Sequence, residues 1–434
     1  MKEDETCRHR KLEEKQRNGA SHMDTQSVPS NWNNIHLFLV TGLLGASLIL
    51  ILECCLPPSA PWSLFGPNRV PLWDWTALQI VIAFTVLQGV LYHLPMGKVA
   101  EGKLGCDEKR LKYHMNGLHA LVVTAALVLG LWFTGLFHGA SITNRVLPIV
   151  SASTVVALLQ SIALYVHSLH IHPSRLLRYD SNATLLVEFA LGREVDPRLG
   201  RIDLKHFAMV RIGFIGWAMV DLSYLLTAVE TQGSPSLCLL LVVIFQFIYI
   251  LDFVLDEDSV LLTKEFTEEA IGFLMILGEY IWIPFFSSLP AFFLIQRPTH
   301  ISTPSAVLIC LLFAVGFAFY SLSNEQRLGF RKNPNDPAYA CLETIPSPSG
   351  QRLLVSGWFG WVRHPNYLGD VLIALAWCLP CGFTSLLPYL PALQCFNLLR
   401  QRANEIEDSC QKKHGEAWLE YCCRVPYKLV PYVY

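Results

Sequence analysis

The stretch GWVRHPNYLGD, residues 360–370, puts five polar or ionisable side chains where the chain turns into a long apolar run: Arg363, His364, Asn366, Tyr367 and Asp370. Charge at a membrane boundary is costly unless it binds something. Upstream, NEQRLGFRKNPNDP sets Asn324, Gln326, Arg327, Arg331 and Lys332 directly after another apolar run. Arg327 and Arg331 are four apart, so on a continuing helix they project the same way and can fork onto a phosphate. Topology and anionic lipid also call for basic residues just outside a span. Trp358, Phe359 and Trp361 add aromatic surface, which interfacial belts share. A cation, an amide and an aromatic wall together suit an aromatic ring that carries phosphates. The C-terminal RQRANEIEDSCQKKHGEAWLEY reads as a helix ending near Gly415, with Lys412, Lys413 and His414 in its last turn. A solvated helix end has the same pattern. Neither a GxGxxG nor a Walker loop occurs, so a nucleotide would bind without a Rossmann domain.

A second set of residues is acidic and lies within or at the ends of apolar segments: Asp221, Glu230, Asp252 and Glu279. Intramembrane carboxyls are functional candidates by default. Glu230, at a helix end, reads as a solvated terminus. In FQFIYILDFVLDED, Tyr249 and Asp252 are three apart and share a helix face, and Asp256 and Glu257 follow. A phenol and carboxylates then form a row running inward from one membrane face, which is equipment for moving a proton. The structural alternative is a Tyr249 hydroxyl bonded to a neighbouring helix and an Asp252 paired with a base.

Helices must position both sets. The 434 residues are 52% hydrophobic and 16% charged, with a mean hydropathy of +0.37. Soluble domains carry nearer a quarter charged residues, so the composition reads as a membrane protein. A crossing needs about 20 apolar residues. Eight stretches meet that requirement: 36–56, 73–94, 117–138, 147–171, 209–229, 236–256, 270–295 and 304–323. A ninth region, 368–399, is broken by Pro380, Pro388 and Pro391 and reads as a hairpin of two short helices. The expectation is an all-α polytopic protein of about ten spans. Lys and Arg divide 29 against 3 between alternating loops, which puts both termini in the cytosol. Residues 1–34 are polar, with no apolar core after their basic residues, so they read as a disordered cytosolic tail rather than a signal peptide. Residues 35–434 form the membrane domain. Thirteen cysteines fit no zinc spacing and lie mostly within helices or on the cytosolic side, where thiols stay reduced.

Five stretches carry a resemblance: LLVSGWFGWVRHPNYLGDVLIALAWCLPCGF (353–383), FRKNPNDP (330–337), EAWLEYCCRVPYKLVPYVY (416–434), LPMGKVAEG (94–102) and LGREVDPRLGRIDLKHF (191–207). They resemble the sterol reductases, a family that includes Δ14-sterol reductase, the membrane half of the lamin B receptor and 7-dehydrocholesterol reductase. The resemblance spans about residues 80–434. Pro365 and the short loop before LLVSGW are closest to the Δ14-reductase and lamin B receptor branch. It implies ten helices in the endoplasmic reticulum or the connected inner nuclear membrane, a sterol substrate reached through lipid, no nucleic acid, and NADPH held mainly by residues 324–434. Carried over, Arg327 and Arg331 meet phosphates, Trp358 walls the ring, and Asn324, Asn366, Tyr367 and Asp370 take polar groups. Arg402, Cys410, Gln411, Lys412, Lys413, His414 and Tyr421 complete the cofactor site, and Tyr249 is the proton donor with Asp252 and Glu257 behind it.

The sequence also departs from the family. Its REARDE pattern carries an Asp where this chain has Ile406, leaving the adjacent Glu407 as the substitute catalytic carboxylate. DITHDGFGF reads EFTEEAIGF (265–273), with Glu268 and Ala270 for His and Gly. Leu255 replaces Trp, Glu279 replaces the Asp of FGD, SSLP (287–290) replaces YSLQ, and His414 replaces the Tyr of KYG. Two expectations follow: an NADPH-dependent Δ14-sterol reductase, or an inactive lamin B receptor-like protein that binds sterol or nucleotide without turnover. The 1–34 tail has no chromatin-reading domain or Arg/Ser-rich stretch, which argues against chromatin tethering.

Overall fold

The computed structural model describes residues 72–433 apart from 105–109, 178, 180–182 and 349, together with Leu48 and Ile51. The tail 1–34 and almost all of the expected span 36–56 lie outside the described residues. The chain is predominantly helical, and its main helices are α1 (Trp75–Tyr92), α2 (Gly117–Phe133), α3 (Val146–Ser168), α4 (Leu204–Gln232), α5 (Leu237–Leu255), α6 (Phe273–Gln296), α7 (Thr303–Lys332), α8 (Pro365–Cys378), α9 (Leu390–His414) and α10 (Glu416–Arg424). Among the described residues six of these, α1 and α3–α7, are long and apolar enough to cross a membrane; α2 is shorter. That is fewer than the ten spans expected. The proline-broken region becomes α8, two 3₁₀ turns (Leu379–Cys381 and Leu387–Tyr389) and the start of α9, a hairpin of the expected kind.

The all-α expectation missed three antiparallel two-stranded ribbons: β1 (Lys98–Leu104) with β2 (Arg110–Met115), β3 (Arg198–Leu199) with β4 (Ile202–Asp203), and β5 (Thr344–Pro346) with β6 (Arg352–Leu354). All lie in loops, where hydropathy has no reach. Two helices also carry π-helical stretches, Phe207–Phe214 in α4 and Gly278–Phe286 in α6, and these pack against one another. Pro284 lies inside the second, where a wider turn accommodates a residue with no N–H to give.

Helix starts follow ordinary capping chemistry. Asp74 accepts the Thr76 N–H at 2.9 Å and pairs with Arg145 at 2.7 Å, fixing the start of α1. Ser302 accepts the Ser305 N–H at 3.3 Å and Pro304 sits in the first turn of α7. With 30 residues, α7 is about 45 Å long. Its last turns therefore outrun an apolar layer of about 30 Å.

The chain divides into two compact units. Unit 1 gathers residues 72–223 and 249–288, and unit 2 gathers 224–248 and 289–433. The chain passes between them within α4, α5 and α6.

In unit 1, Asp203 caps the start of α4 by accepting the N–H groups of Lys205 and His206 at 3.1 and 3.0 Å. Lys205 is fully buried and its ammonium donates to the carbonyls of Phe266 and Glu269, which pins the loop that departs most from the family pattern. In unit 2, α7 and α8 meet at two glycines, Gly316 and Gly369. A side chain at Gly369 would collide with the backbone of Tyr320 and with Gly316 O. Small residues of this kind let two membrane helices touch backbone to backbone.

Candidate functional site

In unit 1, Tyr249 and Asp252 lie on α5 as the spacing predicts, three residues apart and both half-buried. The Tyr249 ring sits 6.2 Å from that of Trp217 on α4. One turn further on, Phe253 stacks on Phe214 at 3.6 Å, so the π stretch of α4 braces this part of α5. Among the described residues Asp252 has no ion pair.

Glu257 does not extend the row. α5 stops at Leu255, and Glu257 opens a 3₁₀ turn that carries its side chain into a buried network. Its Oε2 accepts the Gly117 N–H at 2.8 Å, and its Oε1 lies 3.2 Å from His206 Nε2 and 3.8 Å from Arg211 Nη2. Arg211 donates in turn to Asn116 O at 3.2 Å and to Asn116 Oδ1. Asn116 Nδ2 reaches Leu91 O at 3.0 Å and Leu94 O at 3.2 Å. Glu257, His206, Arg211 and Asn116 are each almost fully buried. The network therefore ties the ends of α1 and α5 to the starts of α2 and α4. Burying Arg211 demands a carboxylate beside it, and that need takes Glu257 out of the expected proton row.

Unit 2 holds the cation and aromatic set. Arg327 and Arg331 both lie on α7, so the helix does continue as their spacing required. Arg327 Nη2 donates to Asn324 Oδ1 at 3.0 Å, while its Nε is enclosed with no hydrogen-bond partner among the described residues. Arg331 is exposed and has no ion pair among the described residues. It lies close enough to Cys410 and His414 of α9 to act on both electrostatically, as does Lys413. Trp358 is half-buried, its ring 5.0 Å from that of Phe319, and Gln326 Oε1 accepts its backbone N–H at 3.1 Å. At the start of α8, Asn366 is buried and Tyr367 stacks on His364 at 5.1 Å; Asp370 follows one turn along.

The α9 residues are placed unequally. Arg402 pairs with Glu405 at 2.9 Å. Gln411, Lys412 and Lys413 are exposed on the last turn, and Lys413 donates to Gln351 Oε1 at 3.0 Å. His414 is buried with Nδ1 2.6 Å from Ser347 Oγ; burial, then Lys413 and Arg331, hold its imidazole below the usual range. Tyr421 donates to Phe359 O at 3.3 Å, and burial pushes its phenol up. Burial likewise raises the Cys410 thiol, against the pull of Lys413 and Arg331. Glu407 lies 3.1 Å from Arg363 Nε and 2.9 Å from Lys428 Nζ, so both its oxygens face cations.

Three residues of this cluster escaped the sequence reading: Gln326 as a Trp358 anchor, Lys428, and the burial of His364. Gln326 and His364 both carried a signal, since NEQR and RHPNY had marked them as polar beside an apolar run; Lys428 carried none. The candidate acid and the cation cluster belong to different units.

Residues 60–434 match the ergosterol biosynthesis ERG4/ERG24 family. The chain is 45% identical over 369 residues to the mouse protein named Delta(14)-sterol reductase TM7SF2, covering 85% of this chain and 88% of that one. It is 36% identical over 394 residues to the chicken Delta(14)-sterol reductase LBR, covering 90% of this chain and 62% of that longer protein. Against the Arabidopsis thaliana Delta(14)-sterol reductase it is 33% identical over 359 residues, covering 82% and 96% of the two chains.

Proposed function

Because the chain belongs to the ERG4/ERG24 family of sterol reductases, we propose that it reduces the C14–C15 double bond of a membrane-borne sterol, with NADPH as the reductant. The observation that carries the cofactor reading is the pair of enclosed, unbonded side-chain nitrogens Arg327 Nε and His364 Nε2, beside Arg331, which has no ion pair among the described residues. A phosphorylated ligand fits that donor set, since carboxylates do not already neutralise it.

Asn324, Arg327, Arg331, Trp358, Asn366, Tyr367, Asp370, Arg402, Tyr421 and the Cys410–His414 turn would hold NADPH. Bound there, it supplies the hydride. An isolated alkene accepts hydride only after a proton has made one carbon cationic, so the chain must supply an acid and exclude water. Tyr249 is that acid in this reading: its phenol gives a proton to one alkene carbon, and Asp252 on the same face of α5 returns one to the phenol. Glu407 stands in for the carboxylate missing at Ile406, and it acts by orienting Arg363 and Lys428. The setting is the endoplasmic reticulum or inner nuclear membrane, with both termini cytosolic.

Complementation tests the reading. Microsomes from cells lacking the endogenous reductase, given this chain, should reduce a Δ8,14-sterol with NADPH. Tyr249→Phe should lower turnover at least about a hundredfold, the scale of a lost general acid. A wild type that is inert at protein levels where a known reductase works defeats the proposal.

A further inference from the structure

His364 occupies the N-cap of α8 yet makes no capping hydrogen bond. Its ring lies flat on Tyr367, 9° between planes, and the residue is only 7% exposed. Nε2 is enclosed and has no hydrogen-bond partner among the described residues. Three cations act on it: Arg327 from α7, Arg363 beside it in sequence, and Lys428 from the C-terminal segment, whose carbonyl accepts the His364 N–H at 3.0 Å. The packed elements also carry the Tyr367 phenol and Asp370 of α8, Tyr320 and Arg331 of α7, and Glu407 of α9, with Glu325 and Lys332 further along α7 and Arg402, Cys410, Lys412, Lys413 and His414 along α9. Glu407 lies against Arg363 and Lys428 and leaves Arg327 unbalanced.

An enclosed, unbonded ring nitrogen among cations is an unfavourable arrangement that an anion relieves. The start of a 14-residue helix adds the positive end of its dipole at the same place. Resting on the reading that NADPH binds at the α7, α8 and α9 residues named above, we propose that His364 is a further ligand of the cofactor's phosphates and takes up one proton as they arrive. In this proposal the free protein holds the imidazole neutral with its one proton on Nδ1 and Nε2 bare, burial and the three cations pushing it down to about 3. In the complex the ring carries a proton drawn from solvent and donates Nε2–H to a phosphate oxygen. No bond within the cofactor breaks, and charge balances as an imidazolium beside a phosphate.

Calorimetric titration of the detergent-solubilised full chain with NADPH at pH 7.0, in two non-phosphate buffers of different ionisation enthalpy, counts the protons. Phosphate monoesters, with a second pKa near 6, are mostly dianionic there and contribute little. The expected result is uptake approaching one proton per NADPH, with Kd rising towards tenfold per pH unit. His364→Gln should bind more weakly and take up none. Absence of NADPH binding in either buffer overturns the cofactor reading itself. Binding with no net uptake by the wild type overturns this inference alone, and so does uptake undiminished in His364→Gln. If that variant does not fold, His414→Gln decides: removing the other imidazole of the site should leave the uptake in place, and its loss there overturns the assignment to His364.

Discussion

Substituting Gly369 by alanine should part α8 from α7 and weaken NADPH binding without touching a proposed ligand. A Cβ at Gly369 would lie 2.7 Å from Gly316 O and 2.8 Å from Tyr320 Cα, and nearer still to Tyr320 N; ordinary contact begins near 3.4 Å. All three obstacles are backbone, so no rotamer change relieves them. The helices must separate by roughly 0.7 Å or more, an overpacking cost of about 1–3 kcal/mol. α8 carries Asn366, Tyr367 and Asp370, with His364 at its cap, while α7 carries Asn324, Arg327 and Arg331. Displacements near 1 Å at a site can cost a hundredfold, so NADPH affinity should fall by about tenfold or more. The comparison variants grade the effect. At Gly316 the nearest atom, Leu372 Cβ, lies at 2.9 Å, so alanine there should cost less. Gly130, with nothing within 4 Å, should tolerate alanine freely. Nucleotide titration of the purified variants, alongside their melting temperatures, reads both effects. A folded Gly369→Ala protein with affinity within about twofold of wild type would refute the claim that this glycine contact sets the proposed cofactor site.

Glu257→Ala should destabilise the protein by about 3–5 kcal/mol, because it leaves Arg211 buried without its carboxylate. That corresponds to a melting point lower by on the order of 10 °C, and an unchanged melting curve would count against the network. Arg331→Ala should weaken NADPH binding by about tenfold and reduce its salt sensitivity while leaving the melting point alone, since the side chain is exposed and outside any ion pair among the described residues. An unaltered affinity removes Arg331 from the site. His364 also predicts an acid limb without cofactor. Its imidazole is held down to about 3 in the fold, whereas in the unfolded chain it takes a proton near 6.5. The stability it contributes is therefore complete above pH 6.5 and is lost as pH falls towards 3, on the order of 5 kcal/mol in all. Chemical denaturation from pH 7 to 4 should show a shallower loss in His364→Gln, and equal slopes would contradict this.

Much of this was legible before any coordinates. The run expected at 236–256 is the helix Leu237–Leu255, and Tyr249 and Asp252 share its face because apolar length and 3.6-residue periodicity are strong, local signals. α7 outran its expected end at 323 by nine residues, since polar helix formers such as Glu325, Gln326 and Arg327 end the hydropathy signal without ending the helix. The same continuation makes the Arg327–Arg331 spacing meaningful. Glu257 was misjudged because its partners, Gly117, His206 and Arg211, lie 46–140 residues away, where no spacing rule operates. The π-helical stretches and loop ribbons also escaped, the first because a wider turn has no compositional mark, the second because the strands of two ribbons are only two or three residues long, although RLKYHM (110–115) does alternate polar and apolar residues as a strand should. Nothing in RHPNY distinguished a solvated imidazole from one sealed against Tyr367.

The way the two units share the chain has a consequence for biosynthesis. Residues 224–248, which belong to unit 2, leave the ribosome before 249–288, which complete unit 1. Unit 1 must wait, unfinished in the bilayer, while a foreign segment is inserted ahead of its own last piece, and at roughly 5–20 residues per second that pause lasts several seconds. Truncations ending between 224 and 288 should therefore be recognised as defective and cleared, and neither unit can be produced by simply cutting the gene in two.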